Sequence, residues 1–121
     1  MALRILGVDP GTRFLGYGIV ESRDRHVASL GHGVVRADAG APLAMRLKQL
    51  FDELQRVVHI FRPTAVAVEG VFSHKNARSA LVLGHARGVA LLGAAIGDLP
   101  VFEYAPARIK KAVGAGGNDS K

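Results

Sequence analysis

Two short apolar runs in this 121-residue chain each end on a carboxylate: Ile5-Leu6-Gly7-Val8 on Asp9, and Ala65-Val66-Ala67-Val68 on Glu69. A carboxylate at the end of an apolar strand loses hydration, so it either takes up a proton or gains a cation. Two such groups side by side suit a hard divalent ion, and a magnesium site answers that need. The chain has no cysteine, which excludes disulfides, thiolate nucleophiles and Cys-type zinc sites and leaves Asp, Glu and His as metal ligands. The histidines, His26, His32, His59, His74 and His85, lack the i, i+4 pairing of a helical metal site and are expected at surface or packing positions. A structural alternative stays open for the carboxylates, with Asp9 capping the Pro10-Gly11 turn and Glu69 pairing with a nearby Arg.

Bringing positions 9 and 69 together is the work of the elements between them. Ile5–Asp9 reads as a strand closed by Pro10-Gly11, and Phe14–Val20 as a second strand with Gly16 and Gly18 on one face, open to a close neighbour. Ser22–Arg25 makes a polar turn, His26–Arg36 a third strand, and Ala37–Pro42 a loop. Leu43, Leu47, Leu50, Leu54, Val57 and Phe61 then recur at spacings of four and three, the mark of an amphipathic helix that Arg62-Pro63 stops. The strand Ala65–Glu69 and the loop 70–75 follow.

Asn76 is a suitable N-cap for a long helix from Ala77 to about Ile96. Its apolar and small residues fill two rows, Leu81-Gly84-Gly88-Leu91-Ala95 and Val82-Val89-Leu92-Ile96. Such a helix is expected to be covered on two sides, one by the sheet and the other by a further element or a second subunit, with Gly84 and Gly88 allowing close approach. A short strand over 100–104 and a helix over 106–113 complete the order βββαβαβα. A meander followed by crossover units predicts an α/β fold with a mixed five-stranded sheet flanked by helices. If the fourth strand lies parallel to the first, Asp9 and Glu69 emerge about 5 Å apart.

The length fits one domain spanning residues 1–121. No segment has the apolar run that a membrane helix needs, and the N-terminus enters a strand with no signal region, so a soluble, cytoplasmic protein is expected. A formal charge of +6 suggests a polyanionic partner, because Lys and Arg that neutralise phosphates release condensed counterions.

Asp9-Pro10-Gly11-Thr12-Arg13 with the strand before it and Gly16-Tyr17-Gly18 after it resembles the opening of RuvC-type Holliday-junction resolvases. Val68-Glu69-Gly70-Val71-Phe72 with Lys75-Asn76-Ala77-Arg78-Ser79-Ala80-Leu81 is similar to their second motif, and Leu83-Gly84-His85-Ala86-Arg87-Gly88 and Val101-Phe102-Glu103-Tyr104 continue the likeness in order. The resemblance implies a ribonuclease-H-like fold and a homodimer that grips four-way junction DNA beside a branch-migration helicase complex. It also implies paired symmetric nicks made with Mg2+, or Mn2+, held by Asp9 and Glu69. Phe72 matches the position whose ring stacks on bases at the opened junction. Lys75, Arg78, Lys110, Lys111 and Lys121 are candidates for phosphate contact. Of these, Lys110 and Lys121 match basic positions near the family's active site, whereas Lys111 fits a solvated face better. Arg87, inside an apolar helix, is expected in a structural or subunit contact.

The family's remaining catalytic acids lie on a C-terminal helix, and this chain ends at Lys121, before it. Asp119, in a Gly-rich stretch, is no substitute. The expectation is therefore a shortened resolvase with an incomplete ligand set. The alternatives are a non-catalytic junction-binding or dimerisation protein and, from the Asp9-Pro10-Gly11-Thr12 hairpin, an actin-like nucleotide-binding module.

Overall fold

The computed structural model describes residues 2–69 and 77–104. Their elements are β1 (Leu3–Asp9), β2 (Phe14–Arg23), β3 (His26–Arg36), α1 (Leu43–Phe61), β4 (Ala65–Glu69), α2 (Ala77–Ile96) and β5 (Val101–Tyr104). They build one five-stranded sheet in the order β3-β2-β1-β4-β5. The first three strands form the expected antiparallel meander, while β1–β4 and β4–β5 are parallel. The helix expected over 106–113 and the Asn76 cap lie outside the described residues.

Strand alternation decides which face is packed. Leu6 and Val8 on β1, Leu15 and Ile19 on β2, Val35 on β3, and Val66 and Val68 on β4 are buried together against Leu50, Leu54 and Val57 of α1. Fully burying a Leu or Val contributes about 1.5–3 kcal/mol, so this shared face dominates the stability of the described region. Arg62 ends α1 in the left-handed conformation, φ 52°, and its N–H donates to the Val58 carbonyl at 2.9 Å just before Pro63.

Two expectations are corrected. The second strand does not stop at Val20 but runs to Arg23, and the hairpin is the two-residue turn Asp24-Arg25, with φ of 51° and 70°. Glu21 and Ser22 stay in the ladder because β1 and β3 pair with them and Arg4 binds Glu21. In α2 the fully buried row is Ala86-Ala90-Ala94, while of the two larger apolar rows Leu91 is the residue that packs partly against the core. Leu81, Leu92 and Ile96 are exposed, and a Cβ added at Gly84 or Gly88 would meet nothing within 4 Å. Alanines prevail because α2 lies close to α1 and β4: a Cβ at Gly93 would come within 2.9 Å of Gln55 Nε2. Among the described residues the second side of α2 is therefore uncovered.

The glycines that weaken the third strand's pattern have a packing reason. A Cβ on Gly33 would lie 2.6 Å from Tyr17 Oη, and one on Gly31 would lie 3.1 Å from Phe61 Cζ. Each glycine gives an aromatic ring room to lie flat on the strand.

Candidate active site

Val8 pairs with Val68 in the parallel ladder, and one further residue on each strand ends it: Asp9 on β1 and Glu69 on β4. Registered residues on neighbouring strands share a face, so the two carboxylates belong to one side of the sheet, with backbones about 4.8 Å apart. The crossover through α1 creates this adjacency, because it returns the chain parallel to β1 with the C-terminal ends of both strands at one edge.

On its other side Asp9 faces Gly16, the last pair of the β1–β2 ladder. A Cβ on Gly16 would sit 3.7 Å from Asp9 Cβ, an ordinary contact, so the missing side chain widens the space beside the carboxylate. The turn after Asp9 is tight: a Cβ on Gly11 would come within 2.4 Å of the Phe14 carbonyl oxygen. Pro10 is buried beneath it. This anchored turn fixes where β1 ends and hence where Asp9 points out of the ladder.

Asp9 is exposed and Glu69 half-buried. Among the described residues the Asp9 side chain makes no ion pair and accepts no hydrogen bond, so it does not cap the Pro10-Gly11 turn. The pair offers only oxygen donors, which fits a hard cation such as Mg2+. Among the described residues no group of three or more His, Asp or Glu gathers to complete a ligand set.

Phe72, His74, Lys75, Lys110, Lys111, Asp119 and Lys121 lie outside the described residues. Arg78 falls in the first turn of α2 with its side chain outside the description. Arg87 has a structural role, pairing with Glu103 and so tying α2 to β5. His26, His32, His59 and His85 are exposed. One pair near the site escaped the sequence reading: the Arg36 guanidinium carbon lies 5.0 Å above the centre of the Phe14 ring. The residues are 22 positions apart, and only the β2–β3 register, which pairs Phe14 with Arg36, reveals them as neighbours.

A family model described as crossover junction endodeoxyribonuclease RuvC matches residues 5–121. A protein of that name from Myxococcus xanthus is 60% identical over 98% of the chain, and one from Syntrophotalea carbinolica is 48% identical over 98%. The chain spans 62% of the first relative's length and 74% of the second's. The solved structure of T. thermophilus RuvC in complex with Holliday junction substrate superposes with a TM-score of 0.81 at 31% identity, covering 90% of this chain and 70% of that one. The mixed sheet with its crossover helices is thus the ribonuclease-H-like fold of such resolvases.

Proposed function

Because the chain belongs to the crossover junction endodeoxyribonuclease RuvC family, we propose that it serves a metal-dependent nuclease that resolves four-way DNA junctions by paired symmetric nicks in recombination and repair. The observation that carries this reading is the convergence of Asp9 and Glu69 at the ends of neighbouring parallel strands. Asp9 and Glu69 would hold Mg2+ or Mn2+. A bound divalent cation supplies charge neutralisation at the scissile phosphate and lowers the pKa of a water. The reaction is an in-line displacement in which a water oxygen bonds to phosphorus, the bond to the 3′-oxygen breaks, and a 5′-phosphate remains. The two carboxylates would hold the cation where β1 and β4 end side by side, and the open space beside Gly16 leaves Asp9 accessible to a strand.

In this reading Phe72 stacks on a base unpaired at the crossover, while Lys75, Arg78, Lys110 and Lys121 bind the phosphate backbone. The exposed Leu81, Leu92 and Ile96 beside Gly84 and Gly88 are the surface for a second copy, giving two sites for two nicks. The same reading places the enzyme in the cytoplasm beside a branch-migration helicase. A second reading, junction binding without cleavage, is favoured by the donor count among the described residues. Incubating the chain with labelled four-way junction and with linear duplex of equal sequence, with and without Mg2+, tests both. Nicking confined to the junction supports the nuclease. Junction-selective binding with no nick supports the second reading, and equal affinity for both DNAs sinks both.

A further inference from the structure

We propose that Phe14 and Arg36 form a second phosphate-binding station, taking the DNA strand on the β2–β3 side of the carboxylates; the inference rests on the junction-nuclease reading above. Asp9 pairs with Gly16, Phe14 lies two residues from Gly16 on the same strand, and Phe14 pairs with Arg36. Strand alternation therefore puts Asp9, Glu69, Phe14 and Arg36 on one face of the sheet, at one end. Arg36 stands two strand spacings from Asp9, about 10 Å to the side, a distance that a few nucleotides span.

The chemistry of the pair fits a phosphodiester. Phe14 is 52% exposed although it is a large apolar residue, and Arg36 is exposed beside it. Among the described residues Arg36 has no carboxylate partner; its one contact of this kind is the Phe14 ring, 5.0 Å away. A cation–π contact consumes none of the guanidinium's N–H donors, whose fork can bind two phosphate oxygens at once. The ladder holds both residues in place, and the Ala37 N–H donating to the Arg13 carbonyl at 2.9 Å closes its last rung. Arg13, also exposed, adds positive charge at the same corner. An acidic protein would be drawn by charge alone, but Arg36 shares a face and an end of the sheet with the two carboxylates, and among the described residues it is the one guanidinium held over an aromatic ring.

The test is the affinity of the chain for a fluorescent four-way junction, measured in EDTA over a range of salt. Arg36→Ala is expected to weaken binding by about five- to tenfold and to flatten the salt dependence by about one counterion. Phe14→Ala and Arg36→Lys keep the charge but lose the stack, and each is expected to cost about two- to fourfold with the salt slope unchanged. Arg23→Gln removes the same charge at the far end of β2 and is expected to stay within about twofold of the parent. Full affinity in Arg36→Ala, or an equal loss in Arg23→Gln, overturns the station while leaving the nuclease reading intact. An unsubstituted chain with no preference for junction over duplex removes both. If Arg36→Ala does not fold, the Phe14→Ala and Arg36→Lys pair decides alone, and parent affinity in both rejects the proposal.

Discussion

Arg4 Nε donates to Glu21 Oε2 at 2.8 Å while its Nη1 donates to the Phe61 carbonyl at 2.7 Å, so one guanidinium joins β1, β2 and the end of α1. The hydrogen bond from Arg4 holds the Glu21 carboxyl below the usual glutamate range, helped by the charges of Arg4 and Arg23 and opposed by partial desolvation. A carboxyl with a lowered folded-state pKa stabilises the fold above its unfolded pKa, and that contribution fades as pH falls through the lowered value. Thermal melts from pH 7 down to pH 3 should show a steeper loss of stability below about pH 4.5 for the parent than for Glu21→Gln. Parallel curves would mean the bridge contributes nothing to the pH response.

Replacing either carboxylate should separate binding from cleavage. Asp9→Asn or Glu69→Gln in a junction-nicking form of the protein is expected to slow single-turnover nicking by about a thousandfold while junction affinity stays within about threefold. Nicking at the parent rate by either variant would remove these two groups from the chemistry.

The turn beyond Asp9 has no room for a side chain at Gly11, where the Phe14 carbonyl would be 2.4 Å from a Cβ. Backbone must move to relieve that overlap. Gly11→Ala should therefore cost about 1–3 kcal/mol in urea unfolding. Gly40→Ala is the control, because its Cβ would meet only Asp38 Oδ1 at 3.5 Å, and it should be close to neutral.

The uncovered face of α2 is tested by charge. Leu92, 56% exposed, can become Glu with little effect on a monomer's fold, since no core neighbour is lost. Sedimentation velocity at about micromolar concentration should find the parent as a dimer and Leu92→Glu as a folded monomer. A Leu92→Glu chain that sediments as the parent does would place self-association elsewhere.

Much of this architecture is legible in the residues themselves. Leu43–Phe61 and Ala65–Glu69 carry strong periodicity with a proline stop between them, and their observed bounds agree with the pattern. What escapes a linear reading depends on partners distant in sequence. Ser22 and Arg23 look like turn residues, and Glu21 lies past the apparent end of the strand, until Arg4 and the flanking strands hold them extended. The Ala86-Ala90-Ala94 row is quieter than its leucine neighbours, yet small side chains are what a close helix contact selects. The polar run Ser22–Arg25 marks a turn, but Asp24-Arg25 contains neither glycine nor asparagine, so nothing in the composition shows that the reversal is only two residues long. Within the candidate site, the terminal carboxylates stand out by type and position, whereas Phe14 and Arg36 become a pair only through register.

The parallel pairing of β1 with β4 joins segments some sixty residues apart, Ile5 with Ala65 through Val8 with Val68. A contact of that sequence separation forms only after the intervening helix has closed the loop, which makes it slow relative to the local β1–β2–β3 hairpins. The edge that carries Asp9 and Glu69 therefore forms only once β4 has docked beside β1. A meander of β1, β2 and β3 alone would present Asp9 without Glu69 beside it, so the carboxylate pair belongs to the long-range topology and not to the local hairpins.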